Sequence, residues 1–170
     1  KLDSYGVDIS DVAIEKVKTN FPNFNVRVAN AEELPFKNET FDDITCIGSL
    51  ERMLNISLAL KEMNRVGKKD CKYCILVRNS EAKSWKYIKS LFCLKNKKGH
   101  QDAKSIHEWT SIFNTSGYRV EVVYPDQYSL IKKRRIRTLG LKKINYKKLI
   151  TNNKPITFTE KFIFLLKKDV

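Results

Sequence analysis

Apolar positions along this chain recur at two spacings, and the switches between them mark out the elements. Residues 4–9, Ser-Tyr-Gly-Val-Asp-Ile, form a short β-prone run that closes on an acid. Ser10 stands where a helix cap belongs, with Asp11 in the first turn. Ala13, Ile14 and Val17 fall on one side of the helix that follows, and Phe21-Pro22 ends it. Residues 25–29 predict a second strand and residues 41–47 a third, separated by a loop over residues 30–36 in which Pro35 blocks helix continuation. Ile56, Ala59, Leu60, Met63 and Val66 then return to helical spacing and predict a second amphipathic helix.

The second half continues the alternation. Residues 73–77, Tyr-Cys-Ile-Leu-Val, are a continuous apolar strand of the kind buried on both faces of a mostly parallel sheet. Ala82, Trp85, Ile88, Leu91 and Phe92 predict a helix. Ser105-Ile-His-Glu108 is a capping box, Trp109, Ile112 and Phe113 are the buried stripe behind it, and Gly117 is the stop. Residues 118–124 and 158–166 supply two late strands. Strands and helices in this order predict a single α/β domain over residues 1–170, a three-layer sheet with helices on both faces. In such sheets ligands sit at the carboxyl ends of strands, so the residues just after each strand carry the functional interest.

Composition sharpens the picture. With 170 residues, 42% of them hydrophobic, the chain is long enough for one proper core. Cys71 and Cys74 are the one close cysteine pair, and no second pair or His-x-x-x-His completes a zinc site. Buried thiols are expected at Cys46 and Cys74, no metal is expected, and the cysteine usage suits a reducing, cytoplasmic setting. No apolar run approaches the roughly 20 residues of a membrane-spanning helix, and the first residues lack the pattern of an export signal. The net charge of +14 is uneven: residues 1–60 carry six basic against ten acidic side chains, leaving 27 against nine in the remaining 110. Residues 127–157 form a basic insertion, with Lys132, Lys133, Arg134, Arg135, Arg137, Lys142, Lys143, Lys147 and Lys148 inside it. Such a segment holds phosphates of a small substrate, a lipid-linked acceptor or RNA, or else is an ordinary solvated face.

Three strand ends in order carry a resemblance: Tyr5-Gly-Val-Asp8-Ile9-Ser10, then Ala29 to Phe36 followed by Phe41-Asp42, then Gly48-Ser-Leu-Glu-Arg52. This set resembles the class I, Rossmann-like S-adenosylmethionine-dependent methyltransferases over residues 4 to about 80. The resemblance implies a mostly parallel sheet with an antiparallel last strand and S-adenosyl-L-methionine as cofactor. It puts Asp8 on the ribose hydroxyls, where two carboxylate oxygens suit adjacent donors, and Ile9 against the adenine. The alternative for Asp8 is an acid that complements a helix start. Asn30 stands where the family usually has an acid for the adenine amino group, Ala31 offers its backbone N–H, and Leu34, Pro35 and Phe36 pack nearby. Glu32 and Glu33 are expected to be solvated helix-start acids. Gly48 and Ser49 pass beside the methionine part, and Glu51 and Arg52 face the methyl acceptor.

The departures matter as much. Family members often carry Leu-Glu-His where this chain has Leu50-Glu51-Arg52, so no general base is evident, and His100 is a weaker acceptor-side candidate. The family's first strand and glycine-rich turn would precede Lys1, within a βαβ unit of roughly 30 residues or more. None of the glycines at 6, 48, 67, 99, 117 and 140 serves as that turn. A sheet without that strand has a gap between neighbours that should both pair with it, and a domain truncated in this way should bind the cofactor poorly. Three readings stay open: methyl transfer to a small-molecule or glycan-like acceptor, a nucleic-acid methyltransferase or RNA-binding module, and an inactive methyltransferase-like scaffold.

Overall fold

The computed structural model describes residues 3–82, 103–126 and 159–169. In chain order it contains β1 (Tyr5–Asp8), α1 (Asp11–Asn20), β2 (Asn25–Val28), β3 (Phe41–Ile47) and a 3-10 turn at Leu50–Arg52. These are followed by α2 (Ile56–Val66), β4 (Gly67–Arg78), α3 (Ile106–Thr115), β5 (Tyr118–Pro125) and β6 (Lys161–Lys168). The helix starts form as the sequence requires. Ser10 Oγ accepts from the Ala13 N–H at 3.2 Å, and Asn55 Oδ1 accepts from the Leu58 N–H at 3.0 Å. In α3 both halves of the capping box are made, Glu108 N–H to Ser105 Oγ and Ser105 N–H to Glu108 Oε2. Gly117, at φ +80°, turns the chain out of that helix in the left-handed region that glycine enters freely.

The described strands fall into two sheets. β1 and β2 pair in parallel, Tyr5 with Asn25 through Asp8 with Val28. The other sheet has the order β3-β4-β6-β5, with β3 parallel to β4 and β6 antiparallel to both of its neighbours. This is the mixed α/β arrangement expected, split between β1 and β3, where the resemblance places a further strand. Tyr5 and Phe41, the first residues of β1 and β3, have ring centroids 5.9 Å apart, so both strands set out from the same end. Phe36 completes the cluster edge-on to both, and the Arg27 guanidinium lies 5.0 Å above its ring.

The core belongs to the larger sheet. Leu50, Leu60, Tyr73, Ile75, Val77, Trp109, Phe113, Tyr118, Phe162, Phe164 and Leu166 are fully buried together. β6 alternates in the way a half-covered strand should, with Phe162, Phe164 and Leu166 pointing inward. Two buried polar tips find backbone partners: Trp109 Nε1 donates to the Arg78 carbonyl at 3.1 Å and Tyr118 Oη to the Leu60 carbonyl at 2.6 Å; the buried Tyr73 hydroxyl has none.

Several boundaries differ from expectation. β4 begins at Gly67 and not at residue 73, because its polar first half is held by pairing with β3 and by Lys168 Nζ, which donates to the Gly67 carbonyl. The last strand starts at Lys161, after Thr159 and Glu160, and residue 158 lies outside the described residues. Cys46 is buried as expected and Cys71 joins it, whereas Cys74 is only half-buried. The predicted helix through Trp85 and Phe92 lies outside the described residues beyond Ala82, as do the 127–157 basic stretch and His100. No helix among the described residues is long and apolar enough to cross a membrane.

Candidate functional site at the strand carboxyl ends

His100 apart, each candidate residue stands at or just after the carboxyl end of a parallel strand. Asp8 and Ile9 close β1, and both are exposed, Ile9 at 74%. Asp8 Oδ1 accepts from the Ser10 N–H at 2.8 Å, so one carboxylate oxygen steadies the entry to α1. The helix-start alternative is thus realised on Oδ1, and it leaves a second oxygen on a charge-bearing group with capacity for ligand donors.

After β2 the chain makes an Asx turn. Asn30 Oδ1 accepts from the Glu32 N–H at 3.0 Å, which directs Ala31 into the bend. Asn30 is exposed and Ala31 half-buried. No helix starts here, so Glu32 is not a helix-start acid: its Oε1 accepts from the Asn55 N–H at 3.0 Å and ties this turn to the entry of α2. Glu33 is exposed, its N–H donating to the Asn30 carbonyl.

A latch that the sequence did not announce holds the rest of the loop. Arg65, on α2, donates to Glu62 through Nε and Nη2 at 2.8 and 2.7 Å, and to the carbonyls of Leu34 and Phe36. Glu62 Oε2 also accepts from the Leu34 N–H at 2.8 Å. Hydrogen bonding from Arg65 holds the Glu62 carboxyl below the ordinary carboxylate value, and Glu62 in turn raises Arg65. The loop that carries the adenine-side candidates is therefore fixed to the larger sheet through α2. A Glu-x-x-Arg pair on a helix is a common surface motif, so nothing local in the sequence marked it as this anchor.

After β3, Gly48 adopts φ +67° and its N–H donates to the Leu76 carbonyl at 2.9 Å. Ser49 is exposed, and the 3-10 turn then buries Leu50 and Glu51 while Arg52 stays exposed. Glu51 is only 2% exposed; its Oε1 lies 3.6 Å from Arg78 Nε at the end of β4, and its Oε2 has no hydrogen-bond partner. A buried acceptor left unmatched costs about 1–3 kcal/mol. Nearby, burial and then the Glu51 charge push the Cys46 thiol up to about 11. The structure thus places Asp8 and Ile9 at the carboxyl end of β1, Asn30 and Ala31 after β2, and Gly48, Ser49, Glu51 and Arg52 after β3. Of the two histidines, His107 is exposed on α3 and His100 lies outside the described residues.

Parallel strands that each hand over to a polar turn, followed by an antiparallel strand inserted between β4 and β5, define the class I methyltransferase fold. Residues 2–75 match the model of the methyltransferase domain family. An uncharacterised protein of Methanocaldococcus jannaschii is 43% identical over 81 residues, which are 47% of this chain and 32% of that protein, so the match spans about a third of the curated relative. Among solved structures, a Thermotoga maritima S-adenosylmethionine-dependent methyltransferase superposes with a TM-score of 0.67 at 19% identity, covering 96% of this chain and 72% of its own. A Haloferax volcanii protein described as a methyltransferase, solved with the Trm112 methyltransferase activator, gives 0.64 at 13% identity, covering 98% and 72%. The YcgJ protein of Bacillus subtilis gives 0.55 at 21%, covering 95% and 78%. At these identities the likeness speaks for the fold.

Proposed function

We propose that this chain is the greater part of an S-adenosylmethionine-dependent methyltransferase domain acting on a small-molecule or glycan-like acceptor. The observation that carries the reading is Asp8, an exposed carboxylate at the tip of a parallel strand, beside the end of β2 that leads into the Asn30 turn. The residues present fit the nucleoside end of the cofactor. Asp8 accepts from the ribose hydroxyls through the oxygen that Ser10 leaves available, Ile9 covers the adenine, and the Asn30–Ala31 turn meets its polar edge. Gly48 and Ser49 border the methionine end, where the described residues contain no closely spaced glycines. When bound, the cofactor supplies an electron-poor methyl group. The protein's task is then to align the acceptor and exclude water, and such positioning provides much of the acceleration in group transfer.

The test is calorimetric titration of S-adenosylhomocysteine into the polypeptide at its full natural length. D8N keeps an oxygen for the Ser10 N–H but loses the charge, so it should keep α1 intact while weakening binding about tenfold or more. Equal affinity in the parent and D8N would sink the assignment of Asp8.

The excess of 27 basic over nine acidic side chains beyond residue 60 favours a second reading, in which the acceptor or ligand is a nucleic acid. A gel shift of labelled RNA that weakens steeply with salt supports that reading, and no shift at low salt removes it.

A further inference from the structure

We infer that the free edge of β2 is a docking surface for a second copy of this chain, which lays its own β2 antiparallel against it across a twofold axis. The described strands leave four edges, those of β1, β2, β3 and β5. β1 and β3 face the division between the two sheets. β5 is blunted in the way of edges that must not pair: its register shifts between Val120 and Val122, and Pro125 stands on the outward side, since the Asp126 N–H donates inward to the Lys161 carbonyl. β2 carries no register shift, and Pro22 lies before it. The Ala29 N–H donates to the Asp8 carbonyl, so alternation turns the N–H and C=O groups of Val26 and Val28 away from β1. There they meet no partner among the described residues. Exposed apolar side chains flank the run, Phe24 at 55% and Val28 at 52%.

The sequence of this edge selects a copy of itself. In antiparallel pairing, outward-facing residues oppose one another in hydrogen-bonded pairs. With Val26 on the axis, Val26 exchanges both backbone bonds with its counterpart, and the Val28 N–H reaches the Phe24 carbonyl. The same register packs Phe24 on Val28 on each side of the axis and sets Arg27 opposite the uncharged Asn25. The neighbouring registers are unfavourable. An axis at Arg27 sets two guanidinium groups against each other, and an axis at Asn25 sets Val28 opposite Pro22, which has no N–H to donate. The Phe24 N–H is already committed to the Phe21 carbonyl at 3.1 Å and its ring stacks edge-on with Phe21, so this end of the edge is shaped before a partner arrives. The product is a continuous β1-β2-β2-β1 sheet whose two Asp8 ends point in opposite directions.

The experiment is sedimentation equilibrium of the full natural polypeptide, with V28K and F24E run separately and then mixed. The parent should dimerise as concentration rises, and its Val26 and Val28 amides should exchange slowly in the dimer and fast on dilution. V28K and F24E should each associate about fivefold more weakly, because each spoils the Phe24–Val28 pair on both sides of the axis. Mixed in equal amounts they should associate at least as tightly as the parent. The new carboxylate at position 24 of one copy then faces the new ammonium at position 28 of the other, while Phe24 still meets Val28 across the axis. A parent that stays monomeric up to about 1 mM overturns the proposal, and so does a mixture that associates no more tightly than its components. Protection of Val26 and Val28 that persists in the monomer also overturns it, since another part of the polypeptide then occupies the edge. Should either variant fail to fold, N25R decides: it places a second guanidinium opposite Arg27, and unchanged association overturns the proposal.

Discussion

Arg65 is the residue on which the adenine-side loop depends. It meets two backbone carbonyls of residues 34–36 and the Glu62 carboxylate, and a side chain about one-third exposed keeps only part of what these charge-assisted bonds are worth in a dry interior. R65A should lower stability by about 2 kcal/mol in denaturant titration, and it should loosen the turn at Asn30 before the larger sheet. Glu62 adds a pH signature. Its folded value is depressed below 4.5, chiefly by Arg65, so its contribution is complete above the ordinary carboxylate range and is lost as pH falls through the depressed value. The acid limb of stability should therefore flatten in E62Q; an unchanged limb would mean that the pair is not coupled to folding. Cys46 offers a second check. With its thiol raised to about 11, roughly one molecule in a thousand is thiolate at pH 8, so Cys46 should resist thiol-labelling reagents until the protein unfolds, as mass mapping would reveal. At this scale the sequence was informative wherever a residue acts on its near neighbours. Ser10, Ser105 and Gly117 do what their types predict, whereas Glu32 and Arg65 act across 23 and about 30 positions and left no local trace.

Among the elements, α3 has the most complete local specification. A capping box opens it, Trp109 and Phe113 stack at a centroid distance of 5.9 Å, and Phe113 meets Phe164 on β6 at 5.0 Å. S105A should cost about 1 kcal/mol, the usual value for a lost cap. W109A should cost about 3–5 kcal/mol through the cavity it leaves, and chemical denaturation of the two variants would separate these effects. A W109A loss no larger than that of S105A would mean that the core around β4 repacks. β4 is the opposite case. Its apolar half, residues 73–77, was legible from composition, but Gly67 to Lys72 is a polar run with no period of two. That half is a strand because both flanks provide partners: Phe41 opposite Gly67, Lys167 opposite Lys72, and Asp42 within 2.8 Å of Lys68 Nζ. Strand length fixed by neighbours lies beyond any reading of local pattern.

At the scale of the molecule, the division into two sheets is the property from which most else follows. The Ala29 N–H donates to the Asp8 carbonyl, so the backbone groups of Asp8 face β2, and alternation along a strand turns those of Val7 the other way. On β3, Gly48 donates to the Leu76 carbonyl on β4, which by the same rule turns the groups of Ile47 and Thr45 outward. Two edges that face away from their own sheets flank the division, each belonging to a strand that starts from the Tyr5–Phe41 contact. The loop from Asn30 to Thr40 couples the sheets through Arg65, Glu32 and the Phe36 ring. Hydrogen exchange tests this directly. In the 170-residue chain the amides of Val7, Thr45 and Ile47 should exchange nearly unprotected, while those of Ile75, Val77 and Phe164, inside the paired and buried part, should be the slowest. A polypeptide that supplies a parallel strand between β1 and β3 should slow the first group and leave the second little changed. Slow exchange at Val7 and Ile47 that fades on dilution would point instead to edge pairing between copies, the usual fate of an open strand. Protection independent of concentration would mean that the two sheets already close on one another, and the division would then be no place for a further strand.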